Sequence, residues 1–210
     1  MYFDSNDISE LDKQKRTNLI NCLSGIKALN LIGTKSNDGL ENLAIFNSVV
    51  HIGAHPPLMG FIHRPVSVER HTYENILANK YFTINSVQEE FIDKAHQTSA
   101  RYERVDSEFE KVGLTPFYAK DFFAPFVKES KIQIGLKLAD IIPLQINNTV
   151  MIIGEVVHLE VKDEMLTNTY DLDLALANVA GGIGLSSYVK VNKLASFQYA
   201  KPDKELKEIQ

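Results

Sequence analysis

Two adjacent prolines, Pro56-Pro57, constrain the fold of this chain more than any other feature. Neither ring nitrogen carries a hydrogen, so neither can donate to a β ladder, and the pair has to stand at a strand end or a barrel corner. Apolar, β-branched runs flank it, Leu43 to Ile52 before and Leu58 to His63 after. Runs of this length bounded by Pro and Gly read as strands. Arg64, Ser67, Arg70, His71 and Thr72 then crowd into nine positions, at the point where a helix would begin. A helix start offers free backbone N–H groups and the positive end of a dipole, so arginines beside it suit a phosphate. The stretch therefore reads as a strand floor for a flat ring with an anion site at one end. A plainer reading stands beside it: Val49, Val50, Ile52, Leu58, Phe61 and Ile62 as ordinary barrel core, solvated arginines, and Thr72 as a helix cap.

The rest of the chain supplies the strands such a floor needs. Residues 7–24 carry Ile8, Leu11, Leu19, Ile20 and Leu23 at helical spacing, with Ser9 as a cap and Gly25 as the stop. Ile26 to Lys35 reads as a first strand, and Ser36-Asn-Asp-Gly39 as the tight turn that pairs it antiparallel with Leu43 to Ile52. Thr72 to Asn79 reads as a short helix, Tyr81 to Val87 as a strand, Gln88 to Gln97 as a second helix, and Ser107 to Val112 as a helical turn closed by Gly113. Lys131 to Leu138 alternates apolar and polar residues as a half-buried strand does. Met151 to Val161 is a long strand in which Gly154 marks a bulge or corner. Leu172 to Val179 is expected as a short helix, Gly181 to Gly184 as a flexible connection and Tyr188 to Tyr199 as a last strand or loop. No internal repeat or low-complexity linker divides the chain. The expectation is a helical extension over 1–25, one domain over 26–200 and a charged tail over 201–210. The class is mainly β with peripheral helices, a β-barrel with α decoration.

Several chemistries are excluded or disfavoured. A net charge of −5 and a pI near 5.7 argue against a nucleic-acid or anionic-membrane binder. One cysteine, Cys22, permits no internal disulfide and suits a reducing compartment. The first residues form no signal peptide and no apolar run reaches membrane-spanning length, so a cytoplasmic location is expected. His51 and His55 are four apart, but on a strand that separation is about 13 Å, so no metal site is expected. Gly181-Gly182-Ile-Gly184 lacks the third glycine of a dinucleotide fingerprint, and no Gly-x-Ser-x-Gly elbow is present. Asp171 and Asp173 read as anions at a helix start, and Phe117 to Phe126 as aromatic packing over the barrel mouth or a partner.

Four elements occur in a recognisable order. Asn42 and Phe46-Asn47-Ser48 precede the double proline, Arg70-His71-Thr72-Tyr-Glu-Asn75-Ile76 opens a helix, Phe82-Thr-Ile84-Asn85 lies in a strand, and Phe109-Glu-Lys-Val-Gly113-Leu114-Thr115 follows. Together they resemble the flavin reductase-like, FMN-binding split-barrel family of Greek-key type, which includes NAD(P)H:flavin oxidoreductases and flavoredoxin-type electron carriers. The resemblance runs from about Ile26 to about Tyr199. It implies that Phe46, Asn47, Ser48, Val49 and Val50 line the flavin ring and that Arg64, Arg70, His71 and Thr72 hold the ribityl phosphate. It also implies FMN as cofactor, NADH or NADPH as electron donor, and a homodimer that closes each site. Two positions depart from the pattern: His55 stands where an acidic residue often precedes the prolines, and Gly184 to Tyr188 matches the C-terminal aromatic segment only loosely. The expected function is an FMN-binding oxidoreductase transferring hydride from a nicotinamide nucleotide, with no protein acid or base required. Its rivals are an FMN-bound electron carrier and a non-catalytic split-barrel binding protein.

Overall fold

The computed structural model describes residues 1–209. Two helices come first, α1 (Ser5–Glu10) and α2 (Lys13–Cys22). Each starts at an aspartate rather than at Ser9: Asp4 accepts from the N–H groups of Asn6 and Asp7, and Asp12 from those of Gln14 and Lys15. A carboxylate at that position satisfies orphan donors and meets the positive end of the helix. The first strands are β1 (Lys27–Ala28), β2 (Asn30–Lys35), β3 (Glu41–Phe46), β4 (Val50–Ala54) and β5 (Pro57–His63). Helix α3 (His71–Asn79), β6 (Tyr81–Ser86), α4 (Ile92–Gln97), α5 (Glu108–Val112), β7 (Pro116–Phe117) and β8 (Phe126–Val127) follow. Two long strands, β9 (Ile132–Leu144) and β10 (Thr149–Val161), precede β11 (Ala180–Ile183), β12 (Ser187–Lys190), β13 (Ser196–Phe197) and β14 (Glu208–Ile209).

Seven strands form one antiparallel sheet in the order β3-β2-β6-β9-β10-β5-β4. Its two edge strands, β3 and β4, are joined by only Asn47, Ser48 and Val49. A link that short spans roughly 14 Å at most, so the edges lie side by side and the sheet is rolled into a barrel split along this seam. The interior is filled from all round: Ile32, Phe61, Phe82, Ile84, Leu136, Val150 and Ile152 form one buried cluster, capped by Ile76 of α3. Gly154 lets the long hairpin bend inward, since a Cβ there would stand 2.6 Å from the Phe82 ring, and the β9–β10 register shifts at that point. The mainly β, split-barrel class read from the sequence holds. Among the described residues no helix is long and apolar enough to cross a membrane.

The run Leu43 to Ile52 is not one strand. It breaks at Asn47, and its second half joins the opposite edge of the sheet as β4. Apolar patterning reports burial and not the identity of the ladder partner, so the break is silent in the composition of the run. Pro56-Pro57 sits in the β4–β5 hairpin, as a pair of non-donors must. Residues 174–178 form successive turns between β-bridges at Leu172 and Val179 instead of a helix, and residues 180–183 are a strand rather than a flexible connection. That strand bridges β1 and β12 in a second small sheet. In the tail, Glu208–Ile209 pairs with Ser196–Phe197.

Candidate functional site

A cavity of about 640 Å³ opens beside the seam. Its first wall is the seam itself. Phe46, Asn47 and Ser48 line it, whereas Val49 packs into the barrel core and Val50 lies on the exposed side of β4. Ser48 Oγ donates to the Ile62 carbonyl at 3.0 Å and accepts from the Ile62 N–H at 3.2 Å, lacing the seam to β5. Asn47 Nδ2 donates to the Gly184 carbonyl at 2.9 Å, tying it to the small sheet. The side chains are therefore spent on the protein, while the backbone N–H groups of Asn47 and Ser48 donate to no described residue. Free backbone donors beside a cavity are an acceptor-binding edge.

The second wall is cationic. Helix α3 begins at His71 with Arg70 as a cap residue that makes no side-chain cap bond, and the first turn-closing bond runs from Glu74 N–H to the Arg70 carbonyl. The N–H groups of His71, Thr72 and Tyr73 thus remain without intrahelical partners. Arg64, Arg70, His71 and Thr72, brought together from the sequence reading, all line this end, and Arg101 joins them. Burial lowers the Arg70 pKa, and the nearby Arg64 and Arg101 charges push it the same way. Among the described residues no carboxylate pairs with any of these three, whereas Arg104 is engaged by Glu69 at 2.9 Å and by Glu74. Three guanidiniums without a carboxylate partner among the described residues, Arg70 Nε donating only to the Pro65 carbonyl at 3.3 Å, and an open helix N-terminus around one space are an arrangement that suits an anion.

His63 lies between these walls, its ring centroid 5.9 Å from that of Phe46 and 5.5 Å from that of Tyr73. Its Nδ1 is 2.8 Å from the Arg64 carbonyl, which only accepts, so Nδ1 carries the hydrogen and the neutral ring leaves Nε2 as an acceptor. Burial depresses its pKa, with the Arg70 and Arg64 charges adding to the effect against the raising influence of the carbonyl bond.

Most of a third wall escaped the sequence reading, which held only the loose match of Gly184 to Tyr188 to the family's C-terminal aromatic segment. His96, Thr98 to Tyr102, Glu108, Gly182 and Leu185 to Tyr188 contribute to it, except Ser186. His96 Nδ1 and the Tyr188 hydroxyl meet at 2.6 Å. Glu108 accepts from the Leu43 N–H of edge strand β3 at 2.9 Å, and burial raises its pKa. The glutamate is the first residue of α5, one position before the Phe-Glu element, and no local spacing ties it to the seam. The aromatic segment packs elsewhere, Phe122 and Phe126 against the His158 ring at 6.0 and 5.1 Å. Among the described residues no group of three His, Cys, Asp or Glu side chains is arranged to hold a metal.

The sequence signature of the flavin reductase like domain covers residues 26–179. The chain belongs to the flavin reductase-like family. A split-barrel protein of Shewanella frigidimarina NCIMB 400, classed as a flavin reductase, is 46% identical and superposes with a TM-score of 0.92 over 95% of this chain and 100% of that one. An uncharacterized protein of Aquifex aeolicus (strain VF5) is 29% identical over 185 residues, 87% of this chain and 93% of its own length. The flavoredoxin of Desulfovibrio vulgaris (Miyazaki F) shares the fold at 22% identity, with a TM-score of 0.69 over 85% of this chain and 92% of that one. The flavin of this family is a planar ring bearing polar acceptors and, in FMN, a phosphate. A seam with free amides at one end of the cavity and an anion site at the other fit such a molecule.

Proposed function

We propose that this protein is an FMN-dependent NAD(P)H:flavin oxidoreductase. The observation that carries the reading is the two-ended cavity: unpaired cations with an open helix N-terminus at one end, unpaired seam amides at the other. Arg64 and Arg70, with the N–H groups of His71 and Thr72, bind and neutralise the phosphate. The amides of Asn47 and Ser48 donate to the pyrimidine edge of the ring, Phe46 walls it, and Val49 and Val50 support the seam from behind. His63 offers a hydrogen-bond acceptor between the two ends. When bound, the flavin supplies the two-electron chemistry, and NADH or NADPH is the hydride donor. The protein orients the ring, excludes water and leaves one side of the cavity, between the seam and the Gly182–Tyr188 hairpin, for the second nucleotide.

Assembly as a homodimer is part of this proposal. Ile62, Met151 and Ile142 are cross-strand neighbours on the outer barrel face, with Ile52 beside them, and Ile52 and Ile142 are 38% and 41% exposed. An apolar face of this kind on a closed sheet suits a two-fold partner. Sedimentation at micromolar concentration is expected to show twice 23.6 kDa, and a 23.6 kDa species alone would count against the dimer. The decisive experiment for the function is release and identification of the chromophore, followed by anaerobic titration with both nicotinamides. Bleaching of bound FMN supports the reductase. Bound flavin that neither nicotinamide bleaches indicates an electron carrier, and the absence of flavin binding refutes the reading.

A further inference from the structure

Thr72 carries a hydroxyl whose hydrogen is unspent. The residue is 5% exposed, it lines the cationic end of the cavity, and its Oγ1 accepts from Asn42 Nδ2 at 3.0 Å. It donates to no described residue. Asn42 is equally buried, at 6% exposure, and its second amide hydrogen goes to Thr34 Oγ1 at 3.2 Å. Thr34 Oγ1 also accepts from Asn75 Nδ2 of α3 at 3.1 Å. Strands β2 and β3 and the first turns of α3 are thus joined by one small buried network, and every hydrogen of the Asn42 amide is committed within it. A hydroxyl that accepts a hydrogen bond on one side must turn its hydrogen away from that donor. Thr72 lines the cavity, which is where an acceptor for that hydrogen can enter. A buried hydroxyl without an acceptor is costly, so a ligand with acceptor oxygens at that point relieves it.

We propose that Asn42, which has no contact with the ligand itself, is a positioning residue for the phosphate end: by donating to Thr72 it commits the Thr72 hydroxyl to donate to the ligand's phosphate. The inference rests on the reading of the cavity as an FMN site. It makes the barrel's own amide set the polarity of the anion site. Reversing that amide reverses the site, because a carboxylate at position 42 would draw the Thr72 hydrogen toward itself and present a lone pair to the phosphate.

The test compares the dissociation constants of FMN and riboflavin, and the ratio of the riboflavin value to the FMN value isolates the phosphate. In Asn42→Ala the ratio is expected to fall about tenfold, the scale of one hydrogen bond to a charged group, and in Asn42→Asp further still. Thr72→Val should give a similar fall, and adding Asn42→Ala to Thr72→Val should change the ratio little, since the orientation it controls is gone. A purely structural Asn42 would weaken FMN and riboflavin equally and lower the melting temperature without moving the ratio, which overturns the inference. So does a full additional fall in the double variant. Should the Asn42 variants not fold, the wild type decides by NMR: a Thr72 hydroxyl proton coupled to the ³¹P of bound FMN supports the inference, and a Thr72 hydroxyl donating to Asn42 overturns it. Equal binding of FMN and riboflavin by the wild type would instead refute the phosphate reading beneath it.

Discussion

At the helix end of the cavity the proposed contacts are charged and local: Arg64, Arg70, His71 and Thr72 come from nine consecutive positions, around the start of α3. At the seam end they are neutral and assembled from afar. Asn47 and Ser48 offer backbone N–H groups, and their side chains are occupied with Gly184, 137 residues away, and with Ile62 across the split. Charge-assisted hydrogen bonds contribute about 1.5–3 kcal/mol and neutral ones about 0.5–1.5 kcal/mol. On that scale the helix end should set affinity, and the seam should set where the ring lies and how its electronics are tuned. The comparison yields changes that ought to separate the two ends.

The largest effect is expected from Ser48→Pro. It removes one of the two free seam donors, fixes φ and severs the lacing to Ile62. Flavin binding should be lost altogether while the barrel core, whose buried cluster does not include residue 48, still folds. Flavin content per folded subunit, checked by circular dichroism, reads this directly. A folded variant with full flavin would mean that the ring lies elsewhere. Arg70→Ala comes next. It should weaken FMN at least tenfold and leave riboflavin nearly unchanged, and the wild-type preference for FMN should shrink as salt rises.

The two ends were also unequally legible in the sequence. The cationic cluster could be read because a helix start gathers neighbouring residues, so their spacing was enough to bring them to one end of the cavity. Half of the seam was singled out too, but only through the family resemblance, which pointed to Phe46-Asn47-Ser48, three residues that do line the cavity. What closes the cavity was not. His96 and Tyr188 are 92 positions apart, and nothing in the pattern around either points to the other. The reading of Leu43 to Ile52 as one strand failed for a related reason: alternation shows which residues are buried, whereas the jump from one edge of the sheet to the other is a property of closure. Thr72 shows the opposite case. It was read from its neighbours, and the plainer reading of it as the cap is excluded because Arg70 holds that place.

His63, standing between the ends, gives a pH-dependent probe. Its folded pKa is depressed below the ordinary value of 6.5, so between the two values the unfolded chain binds a proton that the folded chain does not. Stability should be unaffected by this group above pH 6.5 and should fall as pH drops below it. Glu108 acts with the opposite sign: its raised pKa makes the fold bind protons more readily above 4.5, so acidification there favours the folded state. The His63 contribution is therefore measured as the difference between wild type and His63→Gln in melting temperature from pH 7.5 to 5. The wild type should lose more of it on acidification, and parallel curves would show that His63 is not held neutral.

The smallest effect tests the seam most finely. Ser48→Ala leaves the backbone N–H of residue 48 in place and removes only the hydroxyl that exchanges two hydrogen bonds with Ile62. If the amides hold the ring, flavin should stay bound, with a loss within the 0.5–1.5 kcal/mol range of a neutral hydrogen bond, roughly two- to tenfold in affinity. The loss should be the same for FMN and riboflavin, because the ring end does not touch the phosphate. The flavin potential should shift modestly, since the amide moves slightly once its lacing to β5 is cut. A change that spares riboflavin but weakens FMN would place Ser48 at the phosphate instead. Loss of flavin as complete as in Ser48→Pro would mean that the hydroxyl, and not the backbone, is what the seam contributes.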